Sequence, residues 1–436
     1  MKEKELKKEL DERVKKAKKK KELYHIPWDI FSENTKKVTA KNLNILLLNT
    51  TCEGFGDLIF AHKLGNYIRE WYKSTVLIAT PNSEKIKILG EKDENVIKLS
   101  HRDNSKHDSD DYCIKFKHFK MTKNVPIFDL ILVAPQTLDW TVSLSDVKTL
   151  IPYSNKFNTF FFSEYNDSLY RTDFDTGVGV RRDGIFLTKT PKLLKRPSNL
   201  GKKYWLVYIS IEFPNHFKCF ISFVEMISAK NNEKRCEIIV PEWISDEILE
   251  DYQGDIDRTL DKLYKYYGKI IVKTKKMVET YEKDNNKKNT LILRGDIFPV
   301  PNKEMLGLMR YSQKDILLSG DQSVTDVLSC CPEKNIFYQI APHKESLGKA
   351  LAKNLPNKYL LHKKTSCGTL EGIHYKSKDN HSNFVKENDF RKKGKEKLDS
   401  LILATKTLKT SPVLERFENM VLSSTTLKNF KNKYLD

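Results

Sequence analysis

The 436-residue sequence has no apolar run approaching eighteen residues, no G-x-x-x-x-G-K-[ST] motif, no C-x-x-C pair and no cysteine–histidine cluster at zinc spacing. Each absence removes a class. A membrane-spanning helix needs about eighteen or more consecutive apolar residues. A P-loop NTPase needs the lysine and hydroxyl of its phosphate cradle, and a zinc module needs its ligands in closely spaced pairs. The N-terminus is too charged for a secretory signal. The seven cysteines (positions 52, 113, 219, 236, 330, 331 and 367) are therefore read as reduced thiols of a cytoplasmic protein, with Cys330-Cys331 packed as small apolar residues at a helix end. Internal repeats are also missing.

Positive charge is in excess. Lys and Arg total 77 against 58 Asp and Glu, a formal charge of +19. Such a surface favours phosphate-rich ligands, nucleic acid or an anionic membrane face without choosing among them. The length exceeds one ordinary core, so two domains with appendages are expected. Residues 2–21, KEKELKKELDERVKKAKKKK, suit a solvated helix or a basic arm, with membrane or nucleic-acid contact as the competing reading.

From Leu43 the texture changes. LNILLLNTT is a short apolar run of the kind that forms buried parallel strands. It passes through CEGFGD into a segment where Leu58, Ile59, Ala61, His62, Leu64, Ile68 and Trp71 recur at helical spacing, and STVLIATP follows as a strand. That is one βαβ unit. Further strands are expected at 127–134 and 160–163. TPKLLKRPSNLGKK reads as a linker, after which YWLVYISI, CEIIVP, KIIVKT and TLILRGD alternate with helical patterns. Two such blocks predict an α/β chain of two tandem Rossmann-like domains, at 41–198 and 199–365. A basic arm over 1–40 precedes them, and a polar loop followed by helices near 396–408 and 412–421 fills 366–436.

Residues 305–345, MLGLMRYSQKDILLSGDQSVTDVLSCCPEKNIFYQIAPHKE, place a strand at Ile316–Leu318 directly before Ser-Gly-Asp-Gln-Ser and a helical pattern. Free backbone N–H groups and the positive end of a helix attract anions at such a junction. Gly320 allows close backbone approach, and Gln322 and Ser323 supply donors. Asp326, one turn on, is placed to accept the hydroxyls of a ribose. A capping box with Ser323 at the N-cap and Asp326 at N3 explains the same residues without a ligand.

This stretch resembles the nucleotide-sugar site of GT-B glycosyltransferases, most closely the MurG-like order of Met-rich helix, strand, Ser/Gly loop, acidic residue, strand and a His-Lys pair. The resemblance covers about forty contiguous residues closely and the remainder only in its order of strands and helices. It implies diphosphate contacts at Gly320, Gln322 and Ser323, a ribose contact at Asp326, and donor-sugar contacts at His343, Lys344 and Glu345. Asp321 departs from the expectation by setting a negative charge beside the phosphates. In the first domain, Gly54 and Gly56 flank the loop before Asp57. The resemblance makes Asp57 the catalytic base of an acceptor domain, while an N-cap aspartate is the plain alternative.

Weaker candidates are Glu164 and Arg181 on an acceptor-side loop, Ser210 and Lys218 for a donor phosphate, and Arg294 for a phosphate or the surface. A turn built on Gly177 and Gly179 accounts equally for Arg181. The D-x-D within DSDD at 108–111 sits in a polar loop and is not read as a metal site. The resemblance thus implies an inverting, metal-independent transfer of a sugar from a nucleotide-diphosphate cosubstrate, with no further cofactor. The acceptor, across an inter-domain cleft, is a glycan, a lipid-linked group or a protein, and peripheral contact with an anionic membrane fits the basic surface. A nucleic-acid-binding protein without catalysis and an inactive nucleotide-sugar binder are the alternatives. The first is disfavoured because aromatic residues lie within apolar strands without nucleic-acid-binding interleaving.

Overall fold

The computed structural model describes residues 43–49, 55–98, 128–136, 159–166, 172–188, 194–210, 216–230, 234–251, 257–283, 288–339, 345–354, 359–374 and 378–407. The N-terminal arm, the DSDD segment, Gly54, His343, Lys344 and the helix expected at 412–421 lie outside them. The chain forms two compact units, one of Met1–Phe186 with Asn388–Asp436 and the other of Leu187–Glu387.

In the first unit the order is β1 (Asn44–Leu48), α1 (Gly56–Tyr72), β2 (Thr75–Thr80), α2 (Ser83–Ile88), β3 (Val96–Lys98), β4 (Leu130–Gln136) and β5 (Thr159–Ser163). All five strands are parallel, in the order β3-β2-β1-β4-β5. Ile45, Leu46, Leu47 and Leu48 are fully buried, as a central parallel strand covered on both faces requires. Each such side chain contributes roughly 2 kcal/mol. Helix α1 buries Leu58, Ala61, Leu64, Ile68 and Tyr72 at helical spacing and ends at Lys73, whose left-handed backbone donates its N–H to Arg69 O.

The second unit runs β6 (Trp205–Tyr208), α3 (His216–Ser228), β7 (Arg235–Ile239), α4 (Glu242–Asp251), α5 (Asp257–Tyr264), β8 (Lys269–Lys273), β9 (Val278–Glu282), β10 (Thr290–Arg294), α6 (Asn302–Tyr311), β11 (Asp315–Leu318), α7 (Asp321–Cys330), β12 (Asn335–Tyr338), α8 (Glu345–Asn354), β13 (Leu360–Lys364) and β14 (Thr369–His374). The sheet order is β13-β14-β12-β11-β6-β7-β10-β8-β9, parallel from β12 to β8 with antiparallel strands at both edges. Two Rossmann-like α/β units in tandem are therefore what the alternating pattern encodes. The edge strands β9 and β13 escape that pattern because most of their residues face solvent, and β14 because exposed and buried residues are mixed along it.

Two expectations are corrected. The first unit ends at 186 instead of 198, because the following segment is tied to the second unit: Thr188 N–H donates to Ser329 Oγ (3.1 Å), Tyr311 O–H to Leu194 O (2.9 Å) and Arg294 Nη1 to Asn199 O (2.9 Å). The polar stretch after 366 also holds a helix, α9 (Lys378–Asn388), followed by α10 (Phe390–Thr407). Chain from Asn388 onward belongs to the first unit. Gly179 N–H donates to Asn388 Oδ1 (3.0 Å), Tyr72 O–H to Asp399 Oδ1 (2.7 Å), and the Phe390 ring packs on Phe186 (4.6 Å) and Trp71 (6.1 Å). A few buried aromatic and amide anchors thus order a strongly polar sequence. Among the described residues no helix is long and apolar enough to cross a membrane.

Candidate functional site

Each sheet has one place where successive connections leave in opposite directions, and ligands of open α/β sheets bind beyond the carboxyl ends of the strands there. In the second unit this place lies between β6 and β11. The strand tips are laced together: Ser319 N–H donates to Tyr208 O (3.1 Å) and Gln339 N–H to Leu318 O (2.7 Å). The Gln339 side chain crosses the tip of β11 to accept the Ser210 N–H at Oε1 (3.3 Å). The chain then enters α7 at the very end of β11.

Gly320 is the N-cap of α7, with φ −78° and ψ 135° and no side-chain cap. That backbone is open to any residue. A Cβ built there would meet only Ser323 Oγ, at 3.5 Å. Among the described residues neither conformation nor crowding calls for glycine here, which leaves room for close approach to its backbone. Because the helix starts at Asp321, Ser323 stands at N3 and the capping box does not form. Asp321 is not the cap either. Its buried carboxylate accepts the Tyr338 O–H at 2.6 Å. Gln322 is 3% exposed, and its Oε1 has no hydrogen-bond partner among the described residues. Asp326, equally buried, faces the segment that enters the unit and accepts a short hydrogen bond from Thr188 Oγ1. Its carboxylate is thus already engaged by the protein.

The remaining predicted donor residues are dispersed. Arg294 ends β10, two strands from β6. Its guanidinium is held by Asp296 (2.7 and 2.8 Å), Glu237 (2.9 Å) and the Asn199 carbonyl (2.9 Å), so all three nitrogens are committed. The carboxylates hold its pKa above the ordinary value. A phosphate would have to displace one of them. Lys218 is exposed on α3, and Glu345 is exposed at the start of α8. Cys330 and Cys331 are buried and outside any disulfide at the end of α7, and burial pushes the Cys331 thiol up to about 12.

In the first unit the corresponding place lies between β1 and β4. Asn49, fully buried, fills it: Nδ2 donates to Asp57 O (3.0 Å) and Ala134 O (3.1 Å), Oδ1 accepts Thr80 Oγ1 (3.3 Å), and the backbone N–H donates to Ala79 O (2.9 Å). Phe55 is the N-cap of α1, so Gly56 begins the helix and Asp57 is its second residue, half-buried, in place of the expected N-cap. Its carboxylate adds to the favourable charge of the first turn. His62 belongs to a charge cluster, with Nδ1 2.9 Å from Glu91, whose carboxylate also pairs with Arg69 at 2.8 Å. Burial alone would raise the Glu91 pKa, but hydrogen bonds from His62 and Arg69 outweigh it and hold the group at about 2. Glu164 is half-buried after β5, and Arg181 is exposed. Arg181 lies on the turn that Gly177 (φ +134°) and Gly179 (φ +130°) shape, and a Cβ at Gly177 would overlap Asn166.

Gln339 escaped the sequence reading. Its signal is a polar residue closing the apolar run NIFY, but only strand order shows that it reaches Ser210. Among the described residues no group of three His, Cys, Asp or Glu side chains is placed to hold a metal ion.

No family model matches this chain, and no curated protein matches it. Solved structures with a similar course include a glycosyl transferase family 9 protein from Veillonella parvula, at 9% identity and TM-score 0.37, covering 85% of this chain and 100% of that one. Phytolacca americana UGT2, complexed with UDP-2-fluoro-glucose and pterostilbene, matches at 10% identity and TM-score 0.38, covering 87% and 99%. A glycosyltransferase from Rickettsia africae matches at 10% and 0.33, covering 88% and 100%. Likeness this distant adds no weight to any reading of the site.

Proposed function

We propose that the chain is a glycosyltransferase of GT-B type, whose second unit binds a nucleotide-diphosphate sugar over the β6–β11 switch point. The observation that carries this reading is Gly320. It is a glycine at a helix N-terminus, beyond a strand tip, that neither φ nor neighbouring atoms require. A diphosphate there would meet the N–H groups of the first turn of α7. As the glycosidic bond breaks, its electrons pass to the leaving diphosphate, and the N–H groups, fixed in place, stabilise the added charge.

Asp57 is the base in this reading. It takes the proton of the acceptor hydroxyl or amine as that group attacks the anomeric carbon, and inversion without a metal ion follows from the resemblance in sequence. Asp321 opposes phosphate binding by its charge, yet its carboxylate is bound by Tyr338 on β12. Asp326 serves the ribose only by exchanging its Thr188 bond for the ligand's hydroxyls.

The test is the Gly320→Ala variant with a panel of UDP, GDP and dTDP. The added methyl meets ordinary contact inside the protein, so stability changes by less than about 1 kcal/mol. Wild-type protein is expected to gain thermal stability with one nucleotide, and the variant to lose most of that gain. Equal gains in both would remove the site. Turnover of a matching nucleotide sugar that survives Asp57→Asn would remove the base.

A further inference from the structure

Gln339 deepens this reading and rests on it. Its Oε1 accepts a backbone N–H, from Ser210, and a flipped carboxamide would set N–H against N–H, so the orientation is determined. That leaves Nε2 as the free end. It is buried, with Gln339 7% exposed, and it has no acceptor among the described residues. A buried N–H donor without a partner costs roughly 1–3 kcal/mol, and such groups in folded proteins call for an explanation.

The position supplies one. Strands β12, β11 and β6 are consecutive neighbours. Gln339 N–H donates to Leu318 O and Ser319 N–H to Tyr208 O, so the three strand ends are tied side by side where Ser319 passes into Gly320, and the bond from Ser210 N–H to Gln339 Oε1 links the outer two. The unpaired donor thus belongs to the same strand tip as Gly320, which follows two residues after the Leu318 carbonyl that Gln339 N–H binds. Gln322, in the first turn of α7, adds a second buried carboxamide whose Oε1 is also unpaired. Tyr338 and Gln339 are adjacent at the strand end, so their side chains leave opposite faces. The Asp321 carboxylate is bound by Tyr338.

We infer that the Gln339 side-chain amide is a ligand-binding donor, which receives an oxyanion of the diphosphate beside the N–H groups of α7, with Ser210 as its positioning partner. Nothing covalent happens at this residue. It binds and orients.

Gln339→Glu separates this role from a structural one. Glutamate keeps an oxygen for the Ser210 N–H and replaces the free amide end by a negatively charged oxygen. Binding of UDP, GDP, dTDP and inorganic pyrophosphate is measured by calorimetry on the full chain, with unfolding monitored in parallel. The expected result is a folded Gln339→Glu protein with affinity reduced roughly ten- to hundredfold for the nucleotide the wild type prefers. Gln339→Leu, which removes the donor without adding charge, is expected to lose about tenfold and decides the matter if the glutamate variant does not fold. Wild-type affinity in the folded variants would overturn the inference. If wild type binds pyrophosphate in a Gln339-dependent manner but no nucleotide, the oxyanion role stands and the glycosyltransferase reading falls. Binding of neither overturns both.

Discussion

The tips of β1 and β4 in the first unit and of β6 and β11 in the second occupy equivalent places in two parallel sheets, yet they are closed in opposite ways. Asn49 uses both amide hydrogens and its carbonyl oxygen on the protein's own groups. At the other tip, among the described residues, Gln339 uses one end of its carboxamide and leaves the second unpaired, Gln322 leaves an oxygen unpaired, and Gly320 is uncrowded. A buried amide with every bond made is a structural rivet. One with a bond left over is stabilised by whatever supplies the missing partner. The same residue chemistry at the same topological place therefore distinguishes a strand clamp from a binding surface.

The largest effect that tests this contrast is expected at Asn49. Asn49→Leu strands the Asp57 and Ala134 carbonyls and the Thr80 hydroxyl, for a loss of about 3 kcal/mol in urea unfolding. A loss under about 1 kcal/mol would break the contrast. Acid comes next. Glu91 titrates at about 2 in the folded chain, below its ordinary carboxylate value of 4.5. The stability it contributes is therefore complete above that ordinary value and is lost as pH falls from about 4.5 towards 2, roughly 3 kcal/mol. Glu91→Gln should flatten that part of the pH–stability curve.

Thr188→Val is expected to cost roughly 1–2 kcal/mol by depriving the buried Asp326 of a donor, with nucleotide affinity kept or improved. A tenfold loss of affinity would instead separate Asp326 from the ribose. At the small end, Arg181→Ala should shift stability by less than about 0.5 kcal/mol, since the side chain is exposed on a glycine turn. An effect on turnover would return that turn to the site.

Runs such as NILLL, LILVAPQ and DILL were legible because a strand buried on both faces must be apolar throughout, and α1 was legible because its apolar residues repeat at helical spacing. The Ser-Gly-Asp-Gln-Ser junction was legible as well, since a glycine and small polar residues are costly between a buried strand and a helix unless they serve the backbone there. Strand β9 and helix α9 were not. VETYE is mostly exposed and KDNHSNFVKEN almost wholly polar, so pairing with β8 for the one, and anchors such as Phe384 and Asn388 for the other, order them. The partners of Asp326 and Gln339 were equally hidden. Thr188 is 138 residues from Asp326, and Ser210 is 129 from Gln339.

By itself the sequence determined the two α/β blocks, the excess of positive charge and the glycine at the start of α7, because periodicity, composition and local backbone chemistry act over a few residues. Tertiary structure alone decided which polar groups are left without partners. That depends on strand order and on what lies across a sheet tip, and a buried amide registers its missing bond only after every neighbour has been placed.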